Sequence, residues 1–252
     1  MPISFLLFGC NGRMGHVVSQ RCKDSSDYTV AAGVDIVTDA PFGYPVTAVP
    51  GDGKVDAVLC FAHAAGEGVM TAIETARRSG TPLVMATTGL SGEQESSLKA
   101  AAQTIPVCWS ANMSLGVNLM MDLVRRAASV LGLDYDIEIV ERHHNTKVDA
   151  PSGTALMLYR AAESVLPYEP EPVYDRQPLR RPRGKHEIGL SAVRGGTIVG
   201  QHDVIFAGPD EVIEIRHTAQ SRDIYATGAL RAVAFVVGQV PGLYTMTDVI
   251  DA

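Results

Sequence analysis

The sequence predicts an α/β fold: a Rossmann-type parallel sheet domain with an inserted α+β domain carrying a mixed sheet. In the first 113 residues, uniformly apolar runs of strand length alternate with segments of helical period, which is typical of a parallel sheet covered by crossover helices. Later strand-like runs follow one another without helices between them, and the last helix is again strongly apolar. We therefore assign residues 1–113 and 219–252 to the first domain and residues 114–218 to the second.

The elements of the first domain follow in alternating order. Predicted strands cover residues 3–8, 29–34, 55–61, 82–87 and 107–109. Predicted helices cover residues 14–22 and 67–78, and Ser91 with Gln94 has the spacing of a capping box that begins another helix. The closing helix, residues 224–237, is expected to pack back onto this domain.

The second domain begins with a long amphipathic helix. One apolar face of that helix carries Leu115, Leu119, Leu123, Ala127 and Val130. Further elements are a strand at 136–141, a helix at 153–166, a loop rich in Pro and Arg at 167–185, and strands at 188–193, 204–206 and 212–217. This order favours a mixed or antiparallel sheet with one open face.

Composition excludes several classes of protein. The 252 residues are 46% hydrophobic, which suits a folded core, and no apolar run reaches membrane-span length. The start, residues 1–8, lacks the basic flank of a signal peptide, so we expect a cytoplasmic protein. The net charge of -7 argues against nucleic-acid binding.

Neither the cysteines nor the clustered basic residues predict a metal or ligand site. The four cysteines are widely spaced, without the pattern of a zinc site, so we expect reduced thiols and no metal. The loop at residues 167–185 contains a run of basic residues, and we interpret this loop as a solvated, mobile segment. These residues are Arg176, Arg180, Arg181, Arg183 and Lys185.

A glycine loop separates the first strand from the first helix. Gly9, Gly12 and Gly15 stand in the order G-C-N-G-R-M-G, a variant of the dinucleotide-binding pattern. Glycine permits a pyrophosphate to approach the backbone, and the N–H groups of the helix start then hold its charge. A simple tight turn is the alternative. Asp35, 20 residues after Gly15 at the end of the second strand, favours a dinucleotide because a carboxylate there binds the adenosine ribose.

Residues 141–155 read E-R-H-H-N-T-K-V-D-A-P-S-G-T-A and are the most informative stretch. His143, His144 and Lys147 follow the end of a strand, and residues 151–154 begin a helix. A helix N-terminus can bind a carboxylate, while imidazole and ammonium groups supply charge and protons. A solvated loop with ordinary surface charges is the alternative, since spacing alone fixes no geometry.

This stretch resembles the signature of the 4-hydroxy-tetrahydrodipicolinate reductases, the dihydrodipicolinate reductase family. Other parts of the chain are similar to that family along nearly its full length: Gly9 to Gly15, Thr87 to Gly89, Ala111 to Ser114, Arg194 to Gly196 and Ser221 to Ala229. The resemblance implies a two-domain reductase that transfers a hydride from NADH or NADPH to a small cyclic dicarboxylate in lysine biosynthesis. It also implies a homotetramer assembled through the sheets of the substrate domains.

The resemblance also implies roles for individual residues. His143 would be the general acid/base and Lys147 the proton donor, while His144, Gly153 and Thr154 would hold a substrate carboxylate. The expected cofactor contacts are Gly9, Cys10, Asn11, Gly12, Arg13, Met14, Asp35, Ala86, Thr87, Thr88, Ser110, Ala111, Asn112 and Met113. Residues 1–113 with 219–252 would thus be the dinucleotide-binding domain, and residues 114–218 the substrate-binding and oligomerisation domain.

Two departures from the family pattern bear on the cofactor. Ala86 stands where a glycine often occurs, and Ile36 follows Asp35 where some members have a basic residue. Asp35 without a neighbouring cation predicts a preference for NADH, because a 2'-phosphate would meet like charge. Two other functions remain open: a related reductase for another amino or imino acid, and a nucleotide-sensing protein with an idle site. The presence of both His143 and Lys147 argues against the idle site.

Overall fold

The structure, a computed structural model, describes residues 1–252. It divides into two compact units. Unit 1 is Met1–Leu115 with Asp223–Ala252, and unit 2 is Gly116–Arg222; the predicted divisions followed residues 113 and 218. None of the helices is long and apolar enough to cross a membrane.

Unit 1 contains a parallel sheet of seven strands. They are β1 (Ile3–Phe8), β2 (Tyr28–Val34), β3 (Val46–Thr47), β4 (Ala57–Cys60), β5 (Leu83–Met85), β6 (Pro106–Trp109) and β12 (Gly242–Tyr244). Their order in the sheet is β12-β6-β5-β4-β1-β2-β3, and every pairing is parallel. The chain leaves β1 for β2 on one side and later returns to β4 on the other. This reversal makes a crevice at the carboxyl ends of β1 and β4, where ligands bind in such sheets.

Helices cover both faces of this sheet. They are α1 (Arg13–Cys22), α2 (Gly68–Ser79), α3 (Gly92–Ala101), α6 (Asp223–Val237) and α7 (Met246–Asp251). One apolar core lies under α1, α6 and α7, and the other lies under α2 and α3. The Rossmann-type prediction is therefore confirmed, as are the capping box of α3 and the return of α6 to this sheet.

Unit 2 contains a mixed sheet, as predicted, and this sheet has five strands. They are β7 (Asp136–His143), β8 (Glu171–Val173), β9 (Glu187–Arg194), β10 (Gly200–Ala207) and β11 (Val212–Ala219), in the order β11-β10-β7-β9-β8. Strands β7, β9 and β8 are parallel, whereas β10 is antiparallel to β7 and β11. The helices α4 (Leu115–Leu131) and α5 (Gly153–Glu163) contribute to the apolar core of this unit.

Buried and partly exposed side chains alternate along β7, and this alternation positions two residues of the candidate site. Ile137, Ile139, Glu141 and His143 are its buried positions, so they project from the same face of the strand. The first two pack into the core with residues of α4 and α5. Glu141 and His143 continue this row at the carboxyl end of the strand, where polar groups replace the apolar core.

The apolar face assigned to α4 from the sequence is largely exposed. Leu119, Leu123 and Val130 are 48%, 48% and 64% exposed, respectively. The buried positions instead include Val117, Met120, Met121, Val124 and Ala128. Apolar residues occur on two faces of this helix. The period of the apolar residues therefore could not predict which face is buried. The face with two methionines packs against the sheet.

The arginine-rich segment is also different from the prediction. Residues 171–173 form β8, and three arginines of the segment make ion pairs. Arg176 pairs with Glu138 and Glu187, and Arg183 pairs with Glu138 and Asp136. Arg181 pairs with Glu187 as well, at 2.6 Å. The acidic partners lie on β7 and at the start of β9, so only the tertiary fold could reveal that these charges are matched.

Candidate active site

The glycine loop of unit 1 is packed too tightly for side chains. Gly9 has a φ of +75°, and a Cβ atom there would lie 2.8 Å from the backbone nitrogen of Ala62. A Cβ atom on Gly15 would lie 2.2 Å from the carbonyl oxygen of Gly9. Gly12 is the N-cap of α1 and makes no side-chain hydrogen bond to the helix. The first N–H groups of α1 are therefore not covered by a capping side chain, and a ligand can reach them past glycine backbone alone. This cradle fits a dinucleotide pyrophosphate.

Asp35 lies beside this loop. Its carboxylate accepts hydrogen bonds from the backbone N–H groups of Asn11 at 2.9 Å and Val37 at 3.2 Å. The side-chain amide of Asn11 donates to the carbonyl oxygens of Val37 and Asp39, which fastens the loop to the end of β2. Ile36 is 96% exposed, and Arg13 is exposed as well. The carboxylate still has acceptor positions for ribose hydroxyl groups.

Cys10 contributes to this region through its backbone. The side chain is completely buried, and a Cβ atom on Gly33 would lie only 2.5 Å from its sulfur. Burial raises the pKa of the Cys10 thiol to about 11, so the thiol is protonated near neutral pH. We therefore expect only the main chain of Cys10 to reach a nucleotide.

The other expected cofactor contacts follow β5 and β6 at the same edge of the sheet. Thr87 is buried and donates to the carbonyl oxygen of Ala62 at 2.8 Å, whereas Thr88 is exposed. After β6, the hydroxyl of Ser110 donates to the carbonyl oxygen of Asn112, and Met113 packs into the core. The carboxyl ends of parallel strands lie at the same edge of a sheet. The predicted cofactor contacts that follow β1, β2, β5 and β6 therefore all lie at this one edge.

The segment that follows β4 was not among the predicted cofactor contacts. The backbone of Phe61 and Ala62 lies against Gly9, and Ala62 also binds Thr87. The predicted strand 55–61 ended at this point, but apolar residues at a strand end carry no chemical signal. The pairing of β4 with β1, which places this segment beside the glycine loop, is a tertiary feature.

In unit 2, the carboxylate of Glu141 is the centre of a buried network. Glu141 is 1% exposed. It is bonded to His143 Nδ1 at 2.6 Å and accepts from the backbone N–H of Ser152 at 3.0 Å. Both terminal nitrogens of Arg194 also donate to it at 2.7 Å. Burial would raise the pKa of Glu141, but the hydrogen bonds from Arg194 and His143 outweigh it and hold that pKa below its usual value.

His143 is buried at the end of β7. Burial lowers the pKa of its imidazole, and the hydrogen bond and charge of Glu141 oppose this effect only in part. A Cβ atom on Gly200 would lie 3.1 Å from His143 Nε2, so β10 provides room for the ring by lacking a side chain there. The result is a neutral imidazole near pH 7, with one nitrogen bonded to a carboxylate.

A second histidine lies on β10, directly opposite Glu141. The rings of His202 and His143 have centroids 5.2 Å apart and planes inclined at 72°. Nε2 of His202 is 3.1 Å from the hydroxyl oxygen of Ser152, and its Nδ1 has no hydrogen-bond partner. Burial and the neighbouring His143 lower the pKa of His202 to about 4, which keeps it neutral near pH 7.

Lys147 lies in the turn between β7 and α5. Its ammonium nitrogen is 2.8 Å from Asp149 Oδ1, and its side chain is 21% exposed. The hydrogen bond from Lys147 holds the pKa of Asp149 below its usual value. His144 is half-buried, with Nδ1 2.7 Å from the hydroxyl of Thr146. The turn therefore holds an ammonium group and an imidazole in defined positions.

The start of α5 completes the arrangement. Ser152 is the N-cap, and its hydroxyl accepts from the backbone N–H of Ala155 at 3.2 Å. Gly153 is exposed, with no atom within 4 Å of a Cβ position, and Thr154 is half-buried. The backbone N–H of Gly153 already donates to the carboxylate of Asp149, which shows that this helix start accommodates an anionic group.

An open cleft of about 480 Å³ adjoins part of this segment. Its lining residues are His144, Asn145, Thr146, Gly196, Thr197, Val199 and Arg222. All of them belong to unit 2. Of the predicted substrate residues, His144 lines this cleft directly. The volume is sufficient for a small dicarboxylate.

The residues that support His143 had no predicted role. Glu141 could have been found, because it stands two residues before His143 in a predicted strand and so shares its face. Ser152 had the position of an N-cap. His202 and Arg194 reach the site through the register of β10 and β9 with β7, which a single sequence does not reveal.

Comparison with known proteins gives a consistent result. A family model described as "Dihydrodipicolinate reductase, N-terminus" matches residues 3–113, and one described as "Dihydrodipicolinate reductase, C-terminus" matches residues 116–250. A 4-hydroxy-tetrahydrodipicolinate reductase of Caldanaerobacter subterraneus subsp. tengcongensis is 48% identical over 250 residues, covering 99% of each chain. A reductase of the same name from Clostridium tetani is 40% identical, covering 100% of this chain and 98% of the relative.

A solved structure resembles the whole fold. It is a dipicolinate-bound dihydrodipicolinate reductase from Paenisporosarcina sp. TG-14, with a TM-score of 0.81. The two sequences are 20% identical, and the match covers 98% of this chain and 99% of the other. At this identity the likeness establishes the fold alone.

Proposed function

Because the chain belongs to the dihydrodipicolinate reductase family, we propose that it reduces 4-hydroxy-tetrahydrodipicolinate to tetrahydrodipicolinate with NADH or NADPH. The protein is an oxidoreductase of diaminopimelate and lysine biosynthesis, and we assign it to the cytoplasm. The proposal is supported most directly by the segment 143–154. There, a buried imidazole, an ammonium group and the N-terminus of a helix follow one another in unit 2.

Unit 1 would hold the cofactor. The bound nicotinamide would supply the hydride. The backbone at Gly9, Gly12 and Gly15 leaves room for the pyrophosphate, and Asp35 would accept hydrogen bonds from the adenosine ribose. A 2'-phosphate beside Asp35 would meet like charge, and the exposed Ile36 offers no cation to offset it. We therefore propose a modest preference for NADH, since exposed charges interact weakly in water.

Unit 2 would hold the dicarboxylate. We assign the binding of one carboxylate to His144, Gly153 and Thr154, because the N–H groups and dipole at the start of α5 favour an anion. The cleft lined by His144 and Arg222 has a positively charged group available for the other end of the ligand. The dipicolinate in the similar solved structure is a ligand of that protein and is a suitable probe for this one.

Two groups of unit 2 would move protons. His143 would act as the general acid/base, because its pKa is lowered and one ring nitrogen is already fixed by Glu141. Lys147 would donate a proton to the reduced ring, and it would have to leave Asp149 in order to do so. Both groups belong to one turn and its flanking strand, so a single ligand position would suit both.

The proposed assembly is a homotetramer through the open faces of the unit 2 sheets. One face of this sheet packs into the core with α5. On the opposite face of the sheet, the side chain of Val193 on β9 is 45% exposed, so this face is available for contact with another subunit. A particle mass near four times 26.8 kDa by light scattering is expected, and a monomeric mass would refute this assembly.

Turnover tests the proposed activity. NADH absorbance is followed with freshly generated 4-hydroxy-tetrahydrodipicolinate, with His143→Gln as the matched variant. We expect a steady decrease in absorbance with the unmodified protein, and a decrease slower by a factor of about 10² to 10⁴ with the variant. The absence of any cofactor oxidation by the folded, cofactor-binding protein would refute the proposal.

A further inference from the structure

Four N–H donors converge on the two carboxylate oxygens of Glu141. Two belong to Arg194 and one is the main-chain N–H of Ser152; the fourth is Nδ1 of His143, which an ionised carboxylate can bind only as a donor. Two ionised oxygens offer roughly four lone-pair sites, so the carboxylate satisfies every donor. A neutral carboxyl group or an amide would present a hydrogen to one of these donors. The site therefore requires a charged group at position 141.

The two oxygens contact different parts of the site. Oε2 is bonded to the imidazole of His143, and Oε1 accepts from Ser152, the residue that caps α5. Arg194 spans both oxygens and also donates to the carbonyl oxygen of Asp149 at 2.5 Å. One buried carboxylate thus connects the end of β7, the turn before α5 and the start of α5.

We propose that Glu141 is a positioning residue that fixes the Nδ1–H tautomer of His143 and holds this ring in register with the helix start that binds the substrate. An ionised carboxylate accepts but does not donate, so Nδ1 must carry the hydrogen. Nε2 is then the atom of His143 that exchanges a proton with a ligand. This inference rests on the proposed function, because it gives His143 and α5 their roles in the same reaction.

The charges around His143 determine how the loss of Glu141 would act. Facing the ring are Glu141 on β7, Lys147 in the following turn, Arg194 at the end of β9 and His202 on β10. Glu141 is the acidic group among them, whereas Lys147 and Arg194 are cationic and oppose protonation of the ring. Without the Glu141 charge, burial and the remaining cations would lower the pKa of His143 further.

The test uses Glu141→Gln in the full-length protein. An amide has one acceptor oxygen, so either His143 or Ser152 loses its partner while the side-chain shape is kept. We expect kcat to fall by a factor of about 10², and the limb on which the rate declines with falling pH should move to lower pH, because the neutral ring of His143 accepts a proton at Nε2. NADH affinity should stay unchanged, since the cofactor groups lie in unit 1.

Glu187→Gln is the matched control, because Glu187 is a buried glutamate that pairs with Arg176 and Arg181 instead of the site. This variant should be destabilised without any shift of the pH profile. If Glu141→Gln loses thermal stability as the control does but keeps its kcat and pH profile, the positioning role is refuted.

A second measurement does not depend on the folding of the variant. Histidine ¹⁵N spectra of the unmodified protein near pH 8, assigned with His143→Gln, should give a protonated Nδ1 for His143. The opposite tautomer would overturn the inference. Failure of the unmodified protein to turn over would instead refute the proposed function, and the tautomer result would remain a separate outcome.

Discussion

The backbone N–H of Asn11 donates to the carboxylate of Asp35 across 2.9 Å, which joins the glycine loop to the end of the second strand. This bond holds the proposed pyrophosphate site and the proposed ribose site in one fixed arrangement. Because the carboxylate is anchored by Asn11 and Val37, it cannot easily turn away from an additional phosphate.

This arrangement predicts a preference for NADH. In the unmodified protein, NADH should bind several-fold more tightly than NADPH, corresponding to about 1 kcal/mol of screened repulsion. Asp35→Ala should narrow the difference mainly by weakening NADH, and Ile36→Arg should strengthen NADPH. Dissociation constants measured by fluorescence titration at moderate salt check this, and tighter NADPH binding to the unmodified protein would show that Asp35 does not select the ribose.

Lys147 should affect chemistry and not cofactor binding. Lys147→Ala removes the proposed proton donor, so kcat should fall by a factor of about 10² to 10⁴. The NADH dissociation constant should remain the same, because Lys147 belongs to unit 2. Lys185→Ala, which removes an exposed lysine of the arginine-rich segment, is the control and should retain full activity. A large loss of NADH affinity in Lys147→Ala would contradict the assignment.

Gly200 should be required for the position of His143. A methyl group there would lie 3.1 Å from Nε2, closer than ordinary contact, so the ring must shift by a few tenths of an ångström. We expect Gly200→Ala to reduce kcat by a factor of about 10 to 100 with little change in melting temperature. Gly92→Ala, which has open space at the start of α3, serves as the control. Unchanged turnover in Gly200→Ala would show that Nε2 tolerates displacement.

Glu187 should stabilise the fold at neutral pH and lose this effect in acid. The hydrogen bond from Arg176 is the main cause that lowers its pKa to about 2, against an ordinary value of 4.5. Its contribution is therefore fully present above about pH 4.5 and is lost as the pH falls toward 2. Urea midpoints of the unmodified protein and Glu187→Gln should differ at pH 7 and approach each other near pH 2. A difference that is independent of pH would contradict this ion-pair role.

Much of the Rossmann sheet could be predicted because its strands are buried on both faces and therefore apolar throughout. The first strand, Ile3–Phe8, has the predicted bounds, and Ser91 with Gln94 forms the predicted capping box. The short strand Gly242–Tyr244 and the helix Met246–Asp251 were not predicted. Such short elements have too few residues for a clear period, and the strand depends on its pairing with β6.

The site was predictable where its residues are close in sequence. His143, Lys147 and Gly153 fall within one strand–turn–helix segment, so local reasoning could group them. His202 and Arg194 could not be grouped with them, because they join Glu141 only through strand register. The acidic partners of Arg176 and Arg183 were missed for the same reason: matching of charges across a sheet is not visible in local sequence.

The most direct test of the central claim follows the hydride itself. NADH carrying two deuterium atoms at C4 of the nicotinamide is incubated with the protein and 4-hydroxy-tetrahydrodipicolinate, and the product is examined by mass spectrometry. The proposed reduction predicts tetrahydrodipicolinate with one deuterium atom bound to carbon. A product without deuterium, or no tetrahydrodipicolinate above the level formed by His143→Gln, would contradict the claim that this protein transfers a hydride to the dicarboxylate.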